Sequence, residues 1–218
     1  MLLSILLGPS LTASAEKPRI VRENTEWLDV WVPNTNARDL PCVLLIGDSI
    51  VKGYGPLVEQ NLKGTAYVAR LATSKSVGDP ALLAEIALVI GQSRFDVIHF
   101  NNGLHGWGYS EEEYGQHFPA LVETLKTQAK GAKLIWATTT PVRNGADLKA
   151  FGERTERVKA RNRIAATWVE KQGLAVDDLF ALVVDHPEYY REDGTHFNAK
   201  GIAAQAERVA QMIRDALR

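Results

Sequence analysis

Val43-Leu44-Leu45-Ile46-Gly47-Asp48-Ser49-Ile50 joins an apolar run to a polar turn. A run rich in leucine and β-branched residues, with little alternation, reads as a strand buried on both faces, the kind found in a parallel sheet. Gly53, Gly55 and Pro56 predict a turn after it, followed by a helical stretch at Leu57-Val58-Glu59-Gln60-Asn61-Leu62. Ser49 therefore stands at a strand-to-helix turn. By itself Gly-Asp-Ser is also an ordinary capping turn, because both polar residues bond readily to nearby backbone. Its meaning depends on the rest of the chain.

Working outward, apolar strand-like runs recur at Ala66–Ala72, Phe95–Phe100, Lys133–Thr138 and Leu174–Val176, making five strands with Val43–Gly47. Between them Ala81–Ile90, Ser110–Lys130 and Asp147–Gln172 carry apolar residues at helical spacing. Ala199–Leu217 does so most regularly, with Ile202, Ala203, Ala206, Val209, Ala210 and Ile213 on one face. Strand–helix alternation predicts an α/β fold in three layers, a mostly parallel five-stranded sheet covered by helices on both faces. Ligands of such sheets bind beyond the carboxyl ends of the strands, so function belongs in the βα loops. Residues 41–218 form one expected domain. Residues 16–40 are its lead-in, in which Glu26–Leu40, with Trp27 and Trp31, reads as irregular chain or an edge strand.

The chain has 218 residues, 45% of them hydrophobic, which is enough for a sizeable core. Its 25 basic and 26 acidic residues leave a formal charge of −1 with no long run of either sign. General affinity for nucleic acid or anionic membrane is not indicated, and a small-molecule or neutral polymer substrate fits better. The single cysteine, Cys42, reads as a small core residue, unable to form an internal disulfide or a thiolate metal cluster. The first fifteen residues, MLLSILLGPSLTASA, end in Ala13-Ser14-Ala15 and predict cleavage after Ala15. A secreted or periplasmic location follows, with the cytoplasm as the alternative. No later stretch reaches the roughly 18 apolar residues of a membrane span.

The predicted loops each carry glycine and polar residues: Ser49, then Ser76-Val77-Gly78-Asp79-Pro80, then Asn101-Asn102-Gly103-Leu104-His105-Gly106-Trp107. Before the last helix stands Glu192-Asp193-Gly194-Thr195-His196-Phe197-Asn198. A serine that attacks a carbonyl needs a base, and an imidazole has its pKa near working pH. His196 is that candidate base. Asp193 can accept from its other ring nitrogen, fixing the tautomer and stabilising the imidazolium formed during attack. A helix N-terminus beside Ser49 would offer N–H groups to the developing oxyanion.

Gly47-Asp48-Ser49, Gly78-Asp79, the Gly103 loop and Asp193-Gly194-Thr195-His196 together resemble the four motif blocks of the SGNH (GDSL) hydrolases. Phe197-Asn198-Ala199-Lys200-Gly201 resembles the family's entry into its last helix. The resemblance implies a flavodoxin-like sheet and a serine esterase with catalytic Ser49, His196 and Asp193. It also implies an oxyanion hole built from the Ser49 and Gly78 amides plus a side-chain donor. The third block departs from the family's Gly-x-Asn-Asp, because the chain reads Gly103-Leu104-His105-Gly106. Counting from Asp96 sets Gly103 on the family glycine and His105 on its asparagine, so an imidazole N–H would replace the amide. Asn101 and Asn102 are nearby alternatives, but Asn101 belongs to the strand end and the two neighbouring side chains should point in different directions, so His105 ranks first and Asn101 second.

Asp48, Trp107 and Arg143 are candidate substrate contacts, Trp107 and Tyr109 as a stacking wall and Arg143 for an anion. His99, between Ile98 and Phe100, reads as a hydrogen-bonded core residue, and His117 and His186 lack partner patterns. Glu111-Glu112-Glu113 suit the positive end of a helix. No metal-ligand spacing appears, and a serine hydrolase needs neither metal nor cofactor. The expected activity is hydrolysis of a small or glycan ester, with deacetylation of a carbohydrate preferred. Lipid ester or thioester hydrolysis, acyl transfer, and noncatalytic carbohydrate binding on the same scaffold are the alternatives.

Overall fold

In the computed structural model, which describes residues 19–218, Leu28–Trp31 forms strand β1 and Cys42–Gly47 forms β2. The residues of the expected leader, Met1 to Ala15, lie outside the described residues. Val43, Leu44 and Leu45 of β2 expose no surface, because the strand is covered on both faces. Alternation of side chains sends Val43 and Leu45 toward α1 (Ser49–Asn61) and α6 (Ala199–Leu217). Leu44 and Ile46 point the other way, toward α2 (Pro80–Ile90) and α3 (Glu111–Gln128). Burying each such aliphatic side chain contributes roughly 1.5–3 kcal/mol, so this one strand anchors both halves of the core.

The remaining strands are β3 (Tyr67–Thr73), β4 (Val97–Phe100), β5 (Lys133–Ala137), the hairpin pair β6 (Arg143–Asn144) and β7 (Asp147–Phe151), and β8 (Ala175–Asp177). The main sheet runs β1-β3-β2-β4-β5-β8, and every pairing in it is parallel except β1 with β3. It therefore has six strands where five were expected. The lead-in supplies the extra one, pairing Leu28 with Thr73 and Trp31 with Arg70 along the edge. From β2 the chain leaves first to β3 on one side and then crosses to β4 on the other. That reversal opens a crevice at the carboxyl end of β2, where Ser49 lies.

Two helical boundaries differ from expectation. The expected turn at Gly53, Gly55 and Pro56 is absent, because α1 starts at Ser49 and continues through all three residues. Ile50, Val51, Tyr54 and Val58 bury one stripe of this helix, while exposed Pro56 leaves only the Lys52 carbonyl without its helical donor. Gly55 is needed for close approach, since a Cβ there would lie 2.2 Å from Arg70 Cδ. Second, Asp147–Phe151 is strand β7 and α4 begins at Arg154, running to Lys171. The Asn144 and Asp147 side chains accept from the Ala146 and Lys149 N–H groups, each at 3.0 Å, local bonds that compete with a helix. After β8 come the short helix α5 (Leu179–Val183) and a single 3₁₀ turn at Pro187–Tyr189.

Candidate active site

Ser49 is the first residue of α1, and Asp48 caps that helix by accepting the Ile50 N–H at 2.9 Å. The loop before α6 approaches from the far end of the sequence. Asp193 Oδ1 accepts the N–H groups of Thr195 and His196, both at 2.8 Å, which folds the loop into a tight turn. Gly194 sits at φ 70°, and a Cβ there would lie 2.1 Å from the Arg143 carbonyl oxygen, so only glycine fits. Asn198 then caps α6 by accepting the Lys200 N–H at 2.9 Å.

These two turns bring three side chains into one line. Ser49 Oγ–H donates to His196 Nε2 at 2.9 Å, and His196 Nδ1–H donates to Asp193 Oδ2 at 2.8 Å. Partial burial pushes the Asp193 carboxyl up, but the two backbone N–H groups and the imidazole outweigh it and hold the group below the usual carboxylate range. A carboxylate acceptor at Nδ1 fixes the ring so that Nε2 can take the Ser49 proton.

The other expected site residues divide. His105 stands beside Ser49, lining the same hollow of about 240 Å³. Its Nδ1 lies 3.5 Å from Glu23 Oε1, and its ring meets the edge of Trp27 at 6.2 Å. Asn101 is committed elsewhere, donating to the Ala137 carbonyl at 2.7 Å and to Thr139 Oγ1 at 3.0 Å. Asn102 ties two loops together, accepting from Val77 N–H at 3.1 Å and donating to the Lys75 carbonyl at 2.8 Å. Gly78 is buried in the β3–α2 loop so anchored, and its carbonyl accepts from Tyr109 Oη at 3.0 Å.

Two expected substrate contacts are not at the hollow. Asp48 is buried, and burial pushes its carboxyl up against the opposing pull of His105 and the Ile50 N–H. Arg143 is 5% exposed and packs over the Phe151 ring at 4.5 Å. Its guanidinium donates to the Lys149 and Val184 carbonyls, so it braces the hairpin against the chain before the Asp193 turn. Trp107 does line the hollow, but as a ring surrounded by Arg154, Arg157 and Arg161 at 4.9, 5.3 and 4.5 Å.

A profile of the GDSL-like lipase/acylhydrolase family matches residues 45–204, most of the chain. The chain belongs to that family. Its fold is similar to that of the native M. smegmatis aryl esterase, with a TM-score of 0.67, 14% identity, and coverage of 81% of this chain and 99% of that one. It is also similar to a carbohydrate acetylesterase from Sinorhizobium meliloti, at TM-score 0.65 and 13% identity over 80% of this chain and 99% of that one. A GDSL-like lipase from Bacteroides thetaiotaomicron gives 0.64 and 14%, covering 80% and 88%. No curated protein matches the sequence.

As a GDSL-family protein the chain is a carboxylic ester hydrolase by class. Several residues that shape its site carry no motif. Arg161, on α4, is buried and donates to the carbonyls of Gly103, His105 and Gly106 at 2.9, 2.8 and 3.1 Å, holding the Gly103–Gly106 loop in place. Its signal was present, because Arg161 falls on the buried stripe of α4 with Val158, Ala165 and Val169, where a cation needs a reason. Glu23 and Arg154 also line the hollow, and nothing in their local sequence marks them. A larger hollow of about 480 Å³ lies at the amino-terminal ends of β2 and β3, lined by residues such as Arg38, Tyr67 and Arg94. It lacks a nucleophile–base pair, so hydrogen-bond geometry rather than size singles out the hollow beside Ser49 as the candidate site. Among the described residues no cluster of three or more His, Cys, Asp or Glu side chains is arranged to hold a metal. No helix among them is long and apolar enough to cross a membrane.

Proposed function

We propose that this protein hydrolyses a carboxylic ester through an acyl-enzyme on Ser49, with His196 as general base and acid and Asp193 as its orienting carboxylate. The continuous hydrogen bonds from Ser49 Oγ through His196 to Asp193 carry this reading. Ser49 Oγ attacks the ester carbonyl carbon as its proton passes to His196 Nε2. The resulting oxyanion is held by the Ser49 and Gly78 N–H groups and by the imidazole of His105. His105 is preferred over Asn101 and Asn102 because both asparagine amides already serve protein carbonyls. His196 then protonates the departing alcohol, the carbonyl re-forms, and water repeats the sequence in reverse to release the acid.

The substrate class we favour is an acetylated carbohydrate, in keeping with the short, open hollow and the similarity to a carbohydrate acetylesterase. We also propose that the chain is exported with cleavage after Ala15, which N-terminal sequencing of protein recovered from its host would test. Activity is tested by turnover of p-nitrophenyl acetate and by acetate release from acetylated xylan and pectin. Ser49→Ala is expected to lose at least about 10⁴-fold in kcat while remaining folded. Equal rates for the two proteins would sink the nucleophile assignment, and no acetate from any polymer would sink the carbohydrate one.

A further inference from the structure

The hollow beside Ser49 contains two carboxylates outside any substrate, and each has its own partner there. Asp193 is bonded to the His196 ring at 2.8 Å, and Glu23 accepts the Gly106 N–H at 3.2 Å and faces the His105 ring. One charged side chain is left over. Arg154 lines the hollow from the start of α4, is exposed, and has its guanidinium carbon over Trp107 at 4.9 Å from the ring centre. Among the described residues it has neither a hydrogen-bond acceptor nor an acidic partner.

Its two neighbours on the same indole behave differently. Arg157 donates to Glu111 at 2.7 Å and to the Trp107 and Tyr109 carbonyls. Arg161 donates to three loop carbonyls through its two terminal nitrogens, and its Nε lies 3.4 Å from Glu111. Both are structural braces, and they fix the Trp107 ring on which Arg154 rests. Contact with an aromatic face limits the rotamers of an arginine while leaving the edge N–H groups of its planar fork directed outward. Such a fork pairs best with a carboxylate or another planar anion, in two parallel N–H···O bonds.

We propose that Arg154 is an anion-recognising specificity residue, and that the preferred ester carries a carboxylate on one side of the scissile bond. This rests on the ester-hydrolase reading of Ser49 and His196. With the ester carbonyl at Ser49, the charged end of the substrate reaches along the hollow to the Arg154–Trp107 platform. The carboxylate belongs either to the acyl group, as in a dicarboxylic half-ester, or to the alcohol, as in an acetylated sugar acid. A charge-assisted pair of this kind is expected to favour an anionic ester over its neutral match by about 10- to 100-fold in kcat/KM. Because Arg154 is exposed, added salt should erode that preference.

The test compares wild type, Arg154→Gln and Arg154→Lys on two matched pairs. Mono-p-nitrophenyl succinate against p-nitrophenyl butyrate probes the acyl side, and p-acetoxybenzoate against its methyl ester probes the alcohol side. The expected result is a preference of at least about tenfold for the anion in one pair, lost in Arg154→Gln, partly kept in Arg154→Lys, and reduced in wild type by high salt. The neutral member of that pair should not lose activity in the same proportion. No preference in either pair, or an unchanged preference in Arg154→Gln, would overturn the assignment of Arg154 while leaving ester hydrolysis intact. Failure of wild type on all four esters would instead remove the hydrolase reading on which it rests.

Discussion

His105 lines the hollow beside Ser49, and the two nearby asparagines cannot take over a donor role there without dismantling bonds that hold Ala137, Thr139, Lys75 and Val77. His105→Ala is therefore expected to lower kcat by about 10²–10³ with little change in melting temperature, and His105→Asn to recover much of that loss. Kinetics on p-nitrophenyl acetate beside thermal melts checks both, and a stable, fully active His105→Ala protein would return the donor role to another group. Asp193 makes a prediction about acid. Its folded-state pKa lies below the ordinary carboxylate value of about 3.9, so the unfolded chain binds the proton more readily. The stability that Asp193 contributes is fully present above that ordinary value and is lost as pH falls through the lower, folded one. Urea unfolding of wild type and Asp193→Asn should therefore differ near neutrality and converge toward strong acid. A gap that widens on acidification would contradict this assignment. The hydrogen-bonded serine, histidine and aspartate were legible because their chemistry is written in local spacing, but that Arg154 has no partner among the described residues was not, since pairing is a property of space.

At the level of elements, α1 is the piece that aims Ser49. Asp48 caps it, so Asp48→Ala is expected to cost about 0.5–2 kcal/mol, whereas Asp48→Asn keeps the acceptor and removes the buried charge. Chemical denaturation at neutral pH should rank Asn above Ala. α4 reaches the site through Arg161. Replacing Arg161 with Met leaves the Gly103, His105 and Gly106 carbonyls without their donor, at roughly 1–3 kcal/mol for each one that water cannot reach. Lysine has the charge but not the fork, so Arg161→Lys should remain impaired. Unfolding free energies and kcat for the two variants check this, and a wild-type-like Arg161→Lys would rule out the three-carbonyl brace. Periodicity found α2, α3 and α6, whose apolar stripes are continuous. It failed at Gly53–Pro56, where packing of Ile50, Val51, Tyr54 and Val58 overrides turn-forming residues. It failed again at Asp147–Phe151, where pairing with Arg143 and Asn144 decides the matter.

Across the whole molecule, the segment from Arg19 to Trp27 crosses the carboxyl end of the sheet and fastens its loops. Val21 N–H donates to Tyr109 Oη at 2.8 Å, Arg22 pairs with Asp79 at 2.9 Å, and Trp27 N–H donates to Ser74 Oγ at 2.9 Å. Deleting residues up to Trp27 is expected to lower Tm by several degrees, at about 2–4 °C per kcal/mol lost, and to reduce kcat/KM as the Gly78 and His105 loops loosen. Melting curves and kinetics of the shortened chain measure both, and an unaltered Tm would mean that the segment fastens nothing. Nothing between Arg19 and Trp27 announced this, because its bonds run to residues about fifty to ninety positions away and leave no local period. The order of apolar runs by itself determined a layered α/β fold, since a strand buried on both faces and a helix with one apolar stripe are local patterns with one economical packing. The Gly-Asp-Ser and Asp-x-x-His motifs likewise named the serine, histidine and aspartate that the fold joins by hydrogen bonds. Only the tertiary structure decided which neighbours those groups have: that Asn101 and Asn102 are occupied, that Arg143 is a brace, and that Arg154 lines the hollow with no partner among the described residues. Hydrogen bonds and ion pairs depend on separations of a few ångströms, and distance along the chain does not encode them.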